Sequence, residues 1–165
     1  MTARIVVRAM RDEDARSFLE VHHAAVRGIA AKDYANEVID DWAPLPITQE
    51  NVSNVIRNPD NEIRVLAEVH GEVAGIGALV LEQNELRACY VVPGVSRSGV
   101  GSALVREIES IARGHGLTFL QLDSSITARS FYEALGYEVL SYGEHILGSG
   151  RSMACVKMEK RLVSP

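Results

Sequence analysis

Apolar positions along the chain repeat with two periods, every second residue in some stretches and every third or fourth in others, and this sets the expected elements. Arg4 to Ala9 reads as a first strand. Asp12 is placed to cap a helix whose apolar stripe runs Phe18, Leu19, His22, Ala25, Val26 and Ile29. His23 falls on the opposite face of that helix and is expected at the surface. A second helix is predicted from near Asp33, burying Ala35, Val38, Ile39 and Trp42 and stopped by Pro44 and Pro46. A short helical piece from Thr48 to Arg57 ends before Pro59.

Three strands are then predicted, Ile63 to Val69, Val73 to Leu81 and Glu85 to Val92, with turns at His70-Gly71 and Gln83-Asn84. The short links favour antiparallel pairing. Leu104, Val105, Ile108, Ile111 and Ala112 form a helical stripe closed by Gly114 and Gly116, and Leu117 to Leu122 follows as a strand. A strand reached through a helical crossover lies parallel to its predecessor. Thr127 can cap a helix containing Ala128, Phe131, Tyr132 and Leu135 that stops at Gly136. Two closing strands, Tyr137 to Gly143 and Met153 to Lys160, flank the Gly148-Ser149-Gly150 turn. The predicted order is β-α-α-β-β-β-α-β-α-β-β, a single α/β (α+β) domain over residues 1–165.

Composition narrows the function classes. The 165 residues are 47% hydrophobic, enough for one two-layer core, and the net charge of −5 argues against a non-specific nucleic-acid partner. Cys89 and Cys155 fit no metal-binding or redox spacing and read as reduced core thiols, so no metal is expected. Ile5 to Val7 is followed at once by charged residues, and the longest apolar run, Val73 to Leu81, is short of the roughly 20 residues that span a bilayer. A cytoplasmic protein with no membrane partner is expected, with a homodimer as the candidate assembly.

The candidate chemistry centres on the turn from Tyr90 to Leu104, which joins an apolar strand to a helix through Pro93, Gly94, Arg97, Gly99 and Gly101. Glycines at a helix start let unpaired N–H groups and the positive dipole end approach a pyrophosphate. A dinucleotide fingerprint fits poorly, because Leu104 holds the third glycine position and a loop from Pro93 to Ser98 separates strand from glycine, although Asp123 lies where a ribose-binding acid would. A Walker-type site fits less well still, since no Gly-Lys-Ser or Gly-Lys-Thr follows.

Two motifs in this order resemble the GNAT superfamily of acyl-CoA-dependent N-acetyltransferases over nearly the whole chain. The first, V-x-P-x-x-[R/Q]-x-x-G-x-[G/A], falls on Val91 or Val92, Pro93, Ser96, Gly99 and Gly101; the second, N-x-x-A-x-x-F-Y-x-x-x-G-F/Y, falls on Ser125 through Tyr137. Ser96 stands where the family has Arg or Gln, with Arg97 one residue on, and Ser125 replaces the common Asn. The displaced arginine and the Asp123-x-Ser-Ile-Thr-Ala run are similar to those of small bacterial YafP-like acetyltransferases.

The resemblance implies a mixed, mostly antiparallel sheet flanked by helices, with parallel fourth and fifth strands splayed apart around the pantetheine arm of acetyl-CoA. It further implies cofactor contacts from Val91, Val92, Arg97, Ser98, Gly99, Val100, Gly101, Ser102, Ser125 and Phe131, and a general-acid role toward departing CoA for Tyr132. His22, Tyr34 and Trp42 are candidates to line the pocket of a small-molecule amine acceptor. Such an amine, with pKa near 10.4, is neutral in only about one molecule in 2,500 at pH 7, a cost of roughly 4.6 kcal/mol without a base. Glu85 is the candidate base, with Glu68 and His22 as rivals. Cys89 lies in the strand facing the cofactor, but no sequence signal activates it, so direct transfer in a ternary complex is expected. A non-catalytic acyl-CoA-binding module on the same fold is the alternative.

Overall fold

The computed structural model describes residues 3–163. Seven strands form one sheet in the order β1-β2-β3-β4-β5-β7-β6. They are β1 (Ile5–Ala9), β2 (Ile63–Val69), β3 (Glu72–Val80), β4 (Glu85–Val91), β5 (Phe119–Ser125), β6 (Glu138–Ile146) and β7 (Ser152–Arg161). Every pairing is antiparallel except β4 with β5. Five helices cover the two faces: α1 (Ala15–Gly28), α2 (Asn36–Trp42), α3 (Gln49–Arg57), α4 (Val100–Gly114) and α5 (Arg129–Ala134). The mixed, mostly antiparallel α/β class read from the sequence is the observed one.

Each sheet face carries its own core. Val100, Leu104 and Ile108 repeat every fourth residue along α4 and lie on Gly75 and Gly77 of β3, where an added Cβ would come within 2.8 Å and 2.7 Å of those side chains. Helix and sheet therefore approach closely only because this strip of β3 lacks side chains. Burying Leu104 and Ile108 completely contributes about 1.5–3 kcal/mol each. On the other face, Ala15, Phe18 and Val21 of α1 and Val52 and Val55 of α3 close over Leu66 and Ile76. A buried carboxylate ties α4 to the end of the sheet: Glu109 accepts from Tyr137 Oη at 3.1 Å and pairs with Lys160 Nζ at 2.8 Å.

Several local expectations are corrected. Asp12 does not cap α1. It lies in a 3-10 turn, Asp12–Asp14, where the Asp14 carboxylate accepts the Arg11 N–H at 2.8 Å. The second helix begins at Asn36, after a separate 3-10 turn at Ala30–Lys32, and Ala35 is exposed outside it. Thr127 does not cap α5, because its hydroxyl donates to Asp33 at 2.6 Å while the Ser125 hydroxyl accepts the Ala128 N–H at 3.1 Å. His23 is buried, with its ring nitrogens 2.8 Å from the Leu19 carbonyl and 2.9 Å from that of Pro44. The loop after α2 folds over that side of α1, a long-range contact that helical spacing does not encode. Strands β5, β6 and β7 run to Ser125, Ile146 and Arg161, each past its predicted end.

The junction of β1 and α1 predicts an acid limb in stability. Arg8 grips Asp14 through two hydrogen bonds, 2.8 Å and 3.0 Å, and holds its carboxyl down to about 2 against the opposing effect of burial. A carboxyl depressed in the folded state stabilises it above the unfolded pKa, and that contribution disappears as pH falls through the folded value. Asp14→Asn should thus cost up to about 2 kcal/mol in denaturant unfolding near pH 6, shrinking as pH falls through about 2 and gone by about pH 1. A pH-independent difference would refute this origin.

Candidate active site

β4 and β5 share a single paired position, Glu85 with Gln121. Around it the strands are locked: Gln121 N–H donates to the Asn84 carbonyl at 2.8 Å, Gln121 Nε2 to the Gln83 carbonyl at 2.8 Å, and Asn84 Nδ2 to the Phe119 carbonyl at 3.3 Å. Beyond this point the two strands part. The pairing of β4 with β3 skips Arg87, since Leu79 faces Leu86 and Ala78 faces Ala88, so a bulge bends β4 where the gap opens. Val92 N–H donates to Ala74 on β3 at 2.9 Å. By alternation the backbone of Val91 and Cys89 faces the gap.

The chain leaves β4 through a 3-10 turn at Pro93–Val95, tightened by Ser96 Oγ donating to the Pro93 carbonyl at 3.0 Å and by Ser98 Oγ donating to Val95. Arg97 and Gly99 both adopt the left-handed region, φ +67° and +92°. Gly99 is the N-cap of α4, and with no side chain there nothing caps the helix. The first helical bond runs from Ala103 N–H to the Gly99 carbonyl at 3.0 Å, which leaves the amides of Val100, Gly101 and Ser102 without helical partners. Gly101 lies against Phe131, whose ring atoms would stand 3.0 Å from an added Cβ. A cavity of about 720 Å³ runs along this surface, lined by Val91, Arg97, Gly99, Gly101, Ser102 and Phe131 among others. Ser98, Val92 and Val100 are not among its lining residues, and the Val100 side chain is buried in the core.

A second cavity, about 490 Å³, meets the first at the gap: Trp42, Cys89, Tyr90, Ser125 and Ala128 line both. Tyr132 lines this second cavity, and among the described residues no side chain hydrogen-bonds its hydroxyl. Burial, followed by the neighbouring Cys89, Tyr90 and Tyr137 groups, holds that hydroxyl well above the ordinary phenol value, so it stays protonated. His22 also lines the cavity, its ring edge-on to Tyr90 at 4.7 Å and to Trp42 at 6.3 Å. Burial lowers its pKa to about 3 and keeps the ring neutral. Tyr34 is not brought to either cavity; its hydroxyl donates to the Ala154 carbonyl at 2.7 Å and accepts from Ile126 N–H at 2.8 Å, clasping the turn before α2 to β7 and to the end of β5.

Of the candidate bases, Glu85 reaches the 490 Å³ cavity, but Arg87 engages both of its oxygens, at 3.3 Å and 3.0 Å. Glu68 lies away from both cavities, paired with Arg8 at 2.8 Å. Sequence reasoning passed over Tyr90, whose phenol burial pushes up to about 12, and His145, held 3.0 Å from Asp123. Tyr90 stands beside the recognised Val91, and strand alternation turns it toward α1. Nothing in the local sequence pairs His145 with a residue on β5. Cys89 is unpaired, its thiol raised to about 12 by burial, with Sγ 3.7 Å from the Gly101 carbonyl. Among the described residues no cluster of three metal-ligating side chains occurs, and no helix is long and apolar enough to cross a membrane.

Solved structures share this architecture. A GCN5-related N-acetyltransferase from Rhodopseudomonas palustris superposes with TM-score 0.87 at 22% identity, covering 98% of both chains. The PaiA N-acetyltransferase from Thermoplasma acidophilum, solved in complex with coenzyme A, gives 0.74 at 22% identity over 96% of this chain and 99% of its own. YncA from Salmonella typhimurium, solved with its cofactor acetyl-CoA, gives 0.70 at 19% over 98% and 96%. No curated protein matches the chain. The family model for the acetyltransferase (GNAT) domain matches residues 30–162, a span that includes the glycine turn, the splayed strands and Tyr132. The chain therefore belongs to the GNAT acetyltransferase family.

Proposed function

We propose that this protein transfers the acetyl group of acetyl-CoA to the primary amine of a small acceptor, directly and within a ternary complex. The observation that carries this reading is the meeting of two cavities at the gap between β4 and β5, one beside the free amides of α4 and the other beside Tyr132. The likeness to structures solved with coenzyme A or acetyl-CoA supports the choice of cofactor.

The residues present fit that cofactor. Free amides at Val100, Gly101 and Ser102, the positive end of a 15-residue helix and the Arg97 guanidinium, which has no ion-pair partner among the described residues, favour a pyrophosphate. The Gly101 position leaves backbone open where a side chain would press on Phe131. The gap-facing backbone of Val91 and Cys89 can pair with the amides of a pantetheine arm, as one strand pairs with another. Ser125, whose hydroxyl already accepts the Ala128 N–H, borders the junction of the two cavities.

Bound acetyl-CoA supplies an activated acetyl group on a thiol leaving group. The chain's own part is to hold donor and acceptor together, worth several kcal/mol of the barrier, and to stabilise charge on the departing sulfur. Tyr132, held protonated, serves the second task by donating a hydrogen bond and then a proton. His22 and Trp42 form the acceptor wall. The high Cys89 pKa favours direct transfer over a thioester relay through that residue.

Gly101→Val should weaken acetyl-CoA binding at least about tenfold by calorimetry, roughly 1.4 kcal/mol, because the added side chain occupies the cavity and displaces Phe131. Undiminished affinity would place the cofactor elsewhere. Tyr132→Phe should lower kcat about 10- to 100-fold in a CoA-release assay while changing acetyl-CoA affinity less than about threefold. An unchanged kcat would remove the phenol from the reaction.

A further inference from the structure

On the acceptor side of the gap, three side chains from three strands form a connected set that acetyl-CoA binding does not use. Lys157 of β7 stands directly opposite Asp123 of β5, and its Nζ lies 2.9 Å from Asp123 Oδ1. The other carboxylate oxygen, Oδ2, lies 3.0 Å from Nδ1 of His145 on β6. Burial works to raise the Asp123 carboxyl, but the hydrogen bonds from Lys157 and His145 outweigh it and keep it ionised. An ionised carboxylate can only accept, so Nδ1 carries a proton, and it is Nε2 that holds the lone pair whenever the ring is neutral. Among the described residues Nε2 has no partner, and both Asp123 and His145 line the 490 Å³ cavity that Tyr132 also lines. Glu85 shares that cavity, but its oxygens are committed to Arg87.

We propose that His145 is the general base that deprotonates the acceptor ammonium, with Asp123 as the positioning residue that fixes its tautomer. This rests on the acetyltransferase reading above. Nε2 takes one proton from R–NH3⁺ and later yields it to solvent. The nitrogen lone pair so freed forms the N–C bond to the acetyl carbonyl as the C–S bond breaks, with the electron pair leaving on sulfur. The second proton lost by nitrogen replaces the one that Tyr132 gives to the thiolate. The balance is one amide, one CoA thiol and one proton released. Such a base works against the cost of about 4.6 kcal/mol for neutralising an alkylammonium at pH 7.

The titratable and charged groups beside this dyad are Lys157 and Cys155 on β7 and Glu144, its neighbour on β6. Across the cavity stand Glu85 and Arg87 on β4, Asp60 and Glu62 before β2, His22 on α1, Tyr90 on β4 and Tyr132 on α5. Asp60 and Glu85 are both paired with Arg87, at 2.7 Å and 3.0 Å.

The test compares wild type, His145→Gln and Asp123→Asn, each with acetyl-CoA and two acceptors: an alkylamine, and an aromatic amine that is already neutral at pH 7. An asparagine keeps the contact but turns a donor toward Nδ1, which selects the tautomer with Nε2 protonated. Both variants should lose about 100-fold or more in kcat/KM with the alkylamine, less than about fivefold with the aromatic amine, and the ascending limb of the pH profile. Calorimetry should find their acetyl-CoA affinity unchanged. Independently of turnover, nitrogen-15 NMR of the unliganded protein should show the Nδ1–H tautomer at His145 in wild type and its loss in Asp123→Asn. Equal losses on both acceptors, an unchanged pH profile, or an Nε2–H tautomer in wild type would overturn the dyad while leaving acetyl transfer in place. A wild type that acetylates no amine would overturn both readings together.

Discussion

The molecule is organised around two neighbouring parallel strands that cannot stay paired. β4 and β5 are joined at Glu85 and Gln121 and then separate, which leaves backbone donors and acceptors on both facing edges. Such groups are costly to leave without partners away from water. In a folded sheet they mark a place kept for something else to pair with. The bulge at Arg87 starts the divergence, and the interlock of Asn84, Gln121 and Phe119 prevents it from spreading back into the sheet. The two cavities meet where the strands part, so one structural defect shapes both of them.

The remainder of the fold keeps that defect in a fixed shape. α4 is seated on the side-chain-free strip of Gly75 and Gly77, which sets the height of its first turn above the sheet and aims its free amides at the mouth of the gap. The Glu109–Tyr137–Lys160 cluster binds the same helix to β7, on the far side of the opening. Tyr132 is held edge-on between Phe131 and Tyr137, with centroids 5.1 Å and 5.7 Å away, so its hydroxyl position follows from core packing. α1 and α2 form the other wall, where His22, Trp42 and Tyr90 pack on one another.

Features encoded locally were legible in the sequence. The turns at His70-Gly71 and Asn84 occur where expected, with His70 and Asn84 in the left-handed region, and the stripe from Leu104 to Ala112 is the buried face of α4. The Val91-to-Gly101 loop follows from residue types whose backbone requirements are specific. Features set by distant partners were hidden. His23 is polar and lies off the apolar stripe, yet a loop twenty residues away covers it. β5 runs on through Asp123-Ser124-Ser125, polar residues that end a strand in most contexts; here Asp123 and Ser125 line a cavity and Ser124 is buried. Tyr34 looked like pocket lining and instead clasps β7, and the Asp123–His145 contact joins residues 22 positions apart across an intervening strand.

The central claim is that the unpaired edge of β4 and the first turn of α4 are completed by the cofactor. Residue-resolved amide hydrogen exchange, measured with and without acetyl-CoA, tests this most directly. The account predicts slowed exchange at Cys89, Val91, Val100, Gly101 and Ser102, with Val92, already bonded to Ala74, unchanged. Binding without protection at those amides, or with protection confined to another face of the sheet, would contradict it.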